Sequence, residues 1–153
     1  MFRKRRKAAT DDEERFALVV RLRDVAFFEG FPPSELERVA ELAEQVEVEP
    51  GAVLIDQGRV GQECYVILEG QASVLAGDEP VASLSPGSMV GEMALIEHRP
   101  RNASVVAETP MLLVAFDTKA FKTLLQEMPQ VHHKVMETLG SRLRSNAERH
   151  RDD

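Results

Sequence analysis

The 153-residue chain has one cysteine, no tryptophan, one tyrosine and four histidines, and each shortage removes a class of function. Cys64 alone permits no internal disulfide, which fits a reducing cytoplasm. Flanked by Tyr65 and Val66 in an apolar run, it reads as a small buried residue rather than a nucleophile. A metal-dependent enzyme on a β-roll needs clustered imidazole and carboxylate ligands. Here His98 stands apart from His132, His133 and His150, and adjacent His132 and His133 point in different directions on a helix. All four read as surface residues. No metal site, no resident cofactor and no nucleophile–base pair is expected, so the chain is not expected to be an enzyme. Long apolar runs are missing too. None approaches the roughly 20 residues of a membrane span, the start lacks the apolar core of a signal peptide, and Phe2 rather than glycine follows Met1, against myristoylation. Nor is there an excess of positive charge: the net charge is −7, which offers nucleic acid no general attraction. The basic residues from Arg3 to Lys7 belong to an N-terminal tail over residues 1–10. That tail is expected to be solvated and mobile, without membrane contact.

What is present is an ordinary globular composition, 43% hydrophobic and 29% charged, in a length that suits one domain. Thr10-Asp11-Asp12-Glu13 matches a capping box, so a helix should begin near Asp11 and run through FALVVRL to the turn-like FFEGFPP. Pro33 suits the first turn of a second helix, which Leu36, Val39, Ala40 and Ala43 carry to about residue 45. There the period changes. Short runs rich in Val, Leu and Ile are separated by Pro50-Gly51, Gly58, Gly61, Gly70, Gly77, Pro86-Gly87 and Pro110. Such punctuation predicts an antiparallel roll over about residues 46–117, with Gly58 and Gly70 as turn residues. Asp117 then caps a helix that Pro129 breaks. A second helix carries Val131, Val135, Leu139 and Leu143 on one stripe, with Lys134, Arg142, Arg144 and Arg149 on its wet side. The predicted fold class is α+β: an antiparallel β-roll (a double-stranded jelly roll) flanked by N-terminal helices and two C-terminal helices over about residues 118–148. The domain itself spans about residues 11–149.

Between two strands of that roll lies GEMALIEHRPRNASV, residues 91–105. A short helix starting near Met93 would direct unpaired amides toward Gly91, an arrangement that attracts phosphate. Arg101, nine residues after Glu92, could reach the same anion with paired, charge-assisted hydrogen bonds. Glu92 repels an anion but accepts from hydroxyls. Phosphate at one end and a sugar hydroxyl at the other describe a nucleotide. The competing reading is a surface ion pair, with Glu97, Arg99 or Glu108 as alternative partners, and such pairs contribute little.

Gly91-Glu92-Met93-Ala94-Leu95 and Pro100-Arg101-Asn102-Ala103-Ser104 resemble the phosphate-binding cassette of the cyclic nucleotide-binding domain family. That family includes protein kinase A regulatory subunits, the catabolite activator protein and gated ion channels. Gly58 and Gly70, bracketing Tyr65-Val66-Ile67-Leu68, match its upstream frame, and the resemblance runs from about Phe27 to Leu143. It implies that Glu92 accepts from the ribose 2′-hydroxyl and that Arg101 holds the cyclic phosphate. Gly91 and Ala94 would offer backbone, Met93 and Leu95 would pack, and Val90 would touch ribose or base. Asn102, beside Ala103, departs from the family's Ala, Ser or Thr. Because a Thr there tends to accompany cGMP, its absence points to cAMP, while the donor and acceptor on Asn leave purine preference open.

The resemblance therefore implies a stand-alone cytoplasmic sensor that binds cAMP or cGMP as ligand and signals through its C-terminal helices. Its expected partners are the nucleotide, an effector protein and, through the last helix, a second copy. Bacterial members often carry a helix-turn-helix after the long helix; the chain stops at Asp153, so no DNA-binding domain is expected. The alternative is a degenerate domain that binds protein without nucleotide.

Overall fold

A computed structural model describes residues 11–56, 58, 63–91 and 103–137, together with the backbone of residues 4–8. The element order is β1 (Lys4–Ala8), α1 (Asp12–Arg23), a 3-10 turn (Ala26–Phe28), α2 (Pro33–Leu42), β2 (Glu44–Val48), β3 (Val53–Ile55) and β4 (Glu63–Glu69). Then come β5 (Ala72–Ala76), β6 (Glu79–Leu84), β7 (Met89–Val90), β8 (Ser104–Ala107), β9 (Met111–Asp117), α3 (Thr118–Glu127) and a further helical segment, α4, over 129–137. The strands form a five-stranded sheet, β1-β2-β9-β4-β7, and a four-stranded sheet, β3-β8-β5-β6. Their pairings are antiparallel. This is the predicted α+β roll with helices on both chain flanks.

Local chemistry sets the helix ends. The Asp11 carboxylate accepts from Glu14 N at 2.7 Å, so Asp11, not Thr10, is the N-cap of α1; a carboxylate caps better than a threonine hydroxyl. Pro33 occupies the first turn of α2 as expected. That helix stops at Leu42 rather than near 45, because Glu44 already pairs with Ala115 of β9. Asp117 accepts from Ala120 N at 2.7 Å and starts α3. Gly70, between β4 and β5, has φ +93, and a Cβ there would lie 2.4 Å from the Pro110 carbonyl oxygen. Only glycine fits such a turn without displacing backbone.

Two cores share the central strands. Tyr65 and Ile67 of β4 and Leu113 and Ala115 of β9 join Val46, Val48, Leu54, Val90 and Val105 inside the roll. The alternate residues, Cys64, Val66, Val114 and Phe116, pack with Leu18, Leu22, Phe28, Leu36, Phe121 and Leu124 of the helical layer. Both faces of β4 and β9 are thus covered, which is why these strands read as continuous apolar runs rather than alternating ones. Cys64 is fully buried, as its setting predicts.

Two features differ from expectation. Lys4–Ala8, read from sequence as a free tail, pairs with β2 as the outermost strand of the larger sheet. Backbone hydrogen bonding suffices for an edge strand and leaves no apolar signature in the sequence. The second concerns α4. Val131 and Val135 are fully buried in the helical core of their own chain, while Leu139 and Leu143 lie outside the described residues. Lys134, expected on the wet side of this helix, instead donates to the Phe27 carbonyl at 2.5 Å, with a longer contact to the Glu29 carbonyl at 3.4 Å. Its ammonium also lies 5.7 and 5.3 Å from the ring centres of Phe27 and Phe31.

Candidate functional site

The described ends of the candidate segment adjoin different sheets. On one side, Val90 of β7 stands opposite Tyr65 of β4, buried within the roll, and Gly91 follows with φ +89. A side chain is disfavoured in that left-handed conformation, so the glycine that opens the GEMAL sequence has a backbone reason to be there. On the other side, half-buried Ala103 precedes Ser104, which stands opposite Leu75 in the smaller sheet. The strands flanking residues 92–102, β7 and β8, thus belong to different sheets. Of the predicted site residues, Val90, Gly91 and Ala103 are placed at the two ends of that segment. Glu92, Met93, Ala94, Arg101 and Asn102 lie outside the described residues.

One part-buried polar pair on β4 lies outside the sequence-based expectations. Glu63 and Tyr65 lie two residues apart on β4, hence on one face, and the Tyr65 hydroxyl donates to Glu63 Oε1 at 3.2 Å. The strand's alternation would have shown that they share a face with Ile67; nothing in the sequence marks that face as neighbouring Val90. Glu108, a candidate partner for Arg101 in the ion-pair reading, accepts from the Ser73 hydroxyl. Among the described residues no group of three or more His, Cys, Asp or Glu gathers as a metal site. His132 is exposed, and His133 meets Glu137 at 3.0 Å across one turn of α4.

The C-terminal helices are fastened to the N-terminal ones. Arg38 of α2 grips Glu127 at the end of α3 with a fork, Nε to Oε2 at 2.8 Å and Nη2 to Oε1 at 3.3 Å. These bonds, then the one to Glu41, hold the guanidinium's pKa above its ordinary value. Gln130 donates to Glu35, and Lys134 reaches the 3-10 turn one helical turn further on. α3 and α4 thus each contact the N-terminal elements through side chains, α3 at α2 and α4 at both α2 and the 3-10 turn.

The family model described as the cyclic nucleotide-binding domain matches residues 45–128, from β2 to just past α3. The chain belongs to the cyclic nucleotide-binding domain family. This cyclic nucleotide-binding domain is 32% identical over 128 residues to the cAMP-dependent protein kinase type II regulatory subunit of Drosophila melanogaster, covering 84% of this chain and 34% of that one. It is 37% identical over 131 residues to acetyltransferase Pat of Mycolicibacterium smegmatis, covering 81% of this chain and 39% of that one. Its fold superposes with a TM-score of 0.73 on the regulatory domain of Toxoplasma gondii PKA crystallised with cAMP, at 27% identity over 83% of this chain and 50% of that one. The domain spans little more than a third of the length of these two curated relatives. No helix among the described residues is long and apolar enough to cross a membrane.

Proposed function

We propose that this domain binds a cyclic nucleotide, cAMP in preference to cGMP, in the segment over residues 92–102, and that it acts as a regulatory module. In this reading Arg101 holds the cyclic phosphate and Glu92 accepts from the ribose 2′-hydroxyl. Gly91 and Ala94 contribute backbone, Met93 packs, and Val90, with Asn102 and Ala103 at the far end, borders the sugar or base. The observation that carries the reading is the position of this segment's two ends within a member of the family. The GEMAL sequence supplies the acid Glu92 and the PRNAS sequence the guanidinium of Arg101, and the described ends of the segment, Gly91 after β7 and Ala103 before β8, adjoin different sheets of a cyclic nucleotide-binding domain. The relatives' names add support, since one is a cAMP-dependent regulatory subunit and another was crystallised with cAMP.

The module carries no catalysis of its own in this proposal. It signals to an effector, inside a larger protein or as a separate partner, and acetyltransferase Pat is a relative whose name is that of an enzyme. Output runs through α3 and α4. Val131 and Val135 are already buried in their own chain, so a dimer seam on the last helix would have to use residues beyond them. Titration calorimetry with cAMP, cGMP and linear AMP tests the proposal. It predicts binding of cAMP, weaker binding of cGMP and little of AMP. Absence of heat with both cyclic ligands would replace it with a domain that binds protein alone.

A further inference from the structure

The outer edge of the larger sheet carries a feature that the proposed function does not invoke. β1 reads KRRKA and runs antiparallel along β2, with Lys4 opposite Val48, Arg5 opposite Glu47, Arg6 opposite Val46, Lys7 opposite Gln45 and Ala8 opposite Glu44. Opposed residues share a sheet face. Positions 4 and 6 therefore share the face of buried Val46 and Val48, and positions 5 and 7 share that of Glu47 and Gln45. A strand with Lys or Arg at four successive positions has little apolar sequence to anchor it, and its described attachment to the sheet is the backbone ladder with β2. The charge is complementary: five of the chain's 19 Lys and Arg lie within residues 3–7 of a chain with net charge −7. β2 and the turn after it present exposed Glu44, Glu47 and Glu49. Ladder bonds and complementary charge do not distinguish a strand supplied by this chain from one supplied by another.

We propose that the outer edge of β2 is an acidic strand-addition site for an extended basic segment of a partner protein, occupied in the isolated chain by β1 as a displaceable cover. The competing role for β1 is a permanent guard, since charged edge strands block edge-to-edge association. A labelled peptide FRKRRKA, the sequence of residues 2–8, separates the two by fluorescence anisotropy on the full chain. Arg5→Glu combined with Arg6→Glu sets an acid opposite Glu47 and weakens the cover, while leaving every residue of both cores in place. This variant should bind the peptide at least tenfold more tightly than wild type, because the tethered strand competes at high effective concentration. Adding Glu47→Lys to the variant should reverse the gain. Two further peptides keep every charge but carry N-methyl groups at residues 4 and 6, or at residues 5 and 7. Alternate amides face the neighbouring strand, so one of the two should lose at least tenfold in affinity for the variant and the other should keep it. The proposal is overturned by equal affinity for wild type and variant, by equal binding of the two methylated peptides, or by no binding to either protein.

Discussion

Lys134 offers the sharpest test of how the C-terminal helix is held. Its ammonium donates to the Phe27 carbonyl and lies near two aromatic rings, so Lys134→Met removes the charge and keeps the length of the stem. A hydrogen bond from a charged group contributes about 1.5–3 kcal/mol. A cation over an aromatic face adds about 0.5–1 kcal/mol at an exposed site and more when desolvated. Lys134 is half-buried, so part of both terms is lost to solvent, and the expected destabilisation is about 2 kcal/mol. For a domain of this size that lowers the thermal midpoint by about 4–8 °C. Urea unfolding followed by circular dichroism, with amide exchange over residues 129–137, measures it. The variant should lose stability at unchanged m-value, and α4 should exchange faster. Lys134→Arg should recover part of the loss, because a guanidinium can stack on the rings and still donate. A wild-type midpoint and unaltered exchange in Lys134→Met would show that buried Val131 and Val135 alone hold the helix.

Three further outcomes follow from the same account. Arg101→Ala should weaken cyclic nucleotide binding by ten- to a hundredfold, the equivalent of losing about 1.5–3 kcal/mol of charged hydrogen bonding; calorimetry on the folded variant checks it, and wild-type affinity would remove Arg101 from the site. Gly70→Ala should destabilise by about 1–3 kcal/mol, since its φ is +93 and its Cβ meets the Pro110 carbonyl, and an unchanged urea midpoint would contradict the turn geometry. Asn102→Thr should move the ratio of cAMP to cGMP affinity toward cGMP in a competition titration.

What the sequence shows well is local. Asp117 and Pro33 mark helix starts because capping and the fixed proline φ act within one turn. The GEMAL and PRNAS sequences stand out because their residue types and order carry the chemistry. The sheet membership of their flanking strands is not legible: that Val90 pairs with Tyr65 in one sheet while Ser104 pairs with Leu75 in the other depends on strand pairing far apart in the chain. β1 has no signature in the sequence because a charged edge strand needs only its backbone to pair. The place of Lys134 is hidden for a related reason. A long side chain on a helix's polar side finds its partner 107 positions away, and no periodicity reports such a contact.

In the proposed function this domain holds a cyclic nucleotide, with Glu92 on the ribose. The most direct measurement is a set of four titrations: wild type and Glu92→Gln, each with cAMP and with 2′-deoxy-cAMP. If Glu92 accepts from the 2′-hydroxyl, the substitution and the missing hydroxyl delete the same contact. Each should then weaken binding alone, and together they should weaken it hardly further. Losses that add in full would place Glu92 away from the ribose, and failure of the wild type to bind cAMP would contradict the account as a whole.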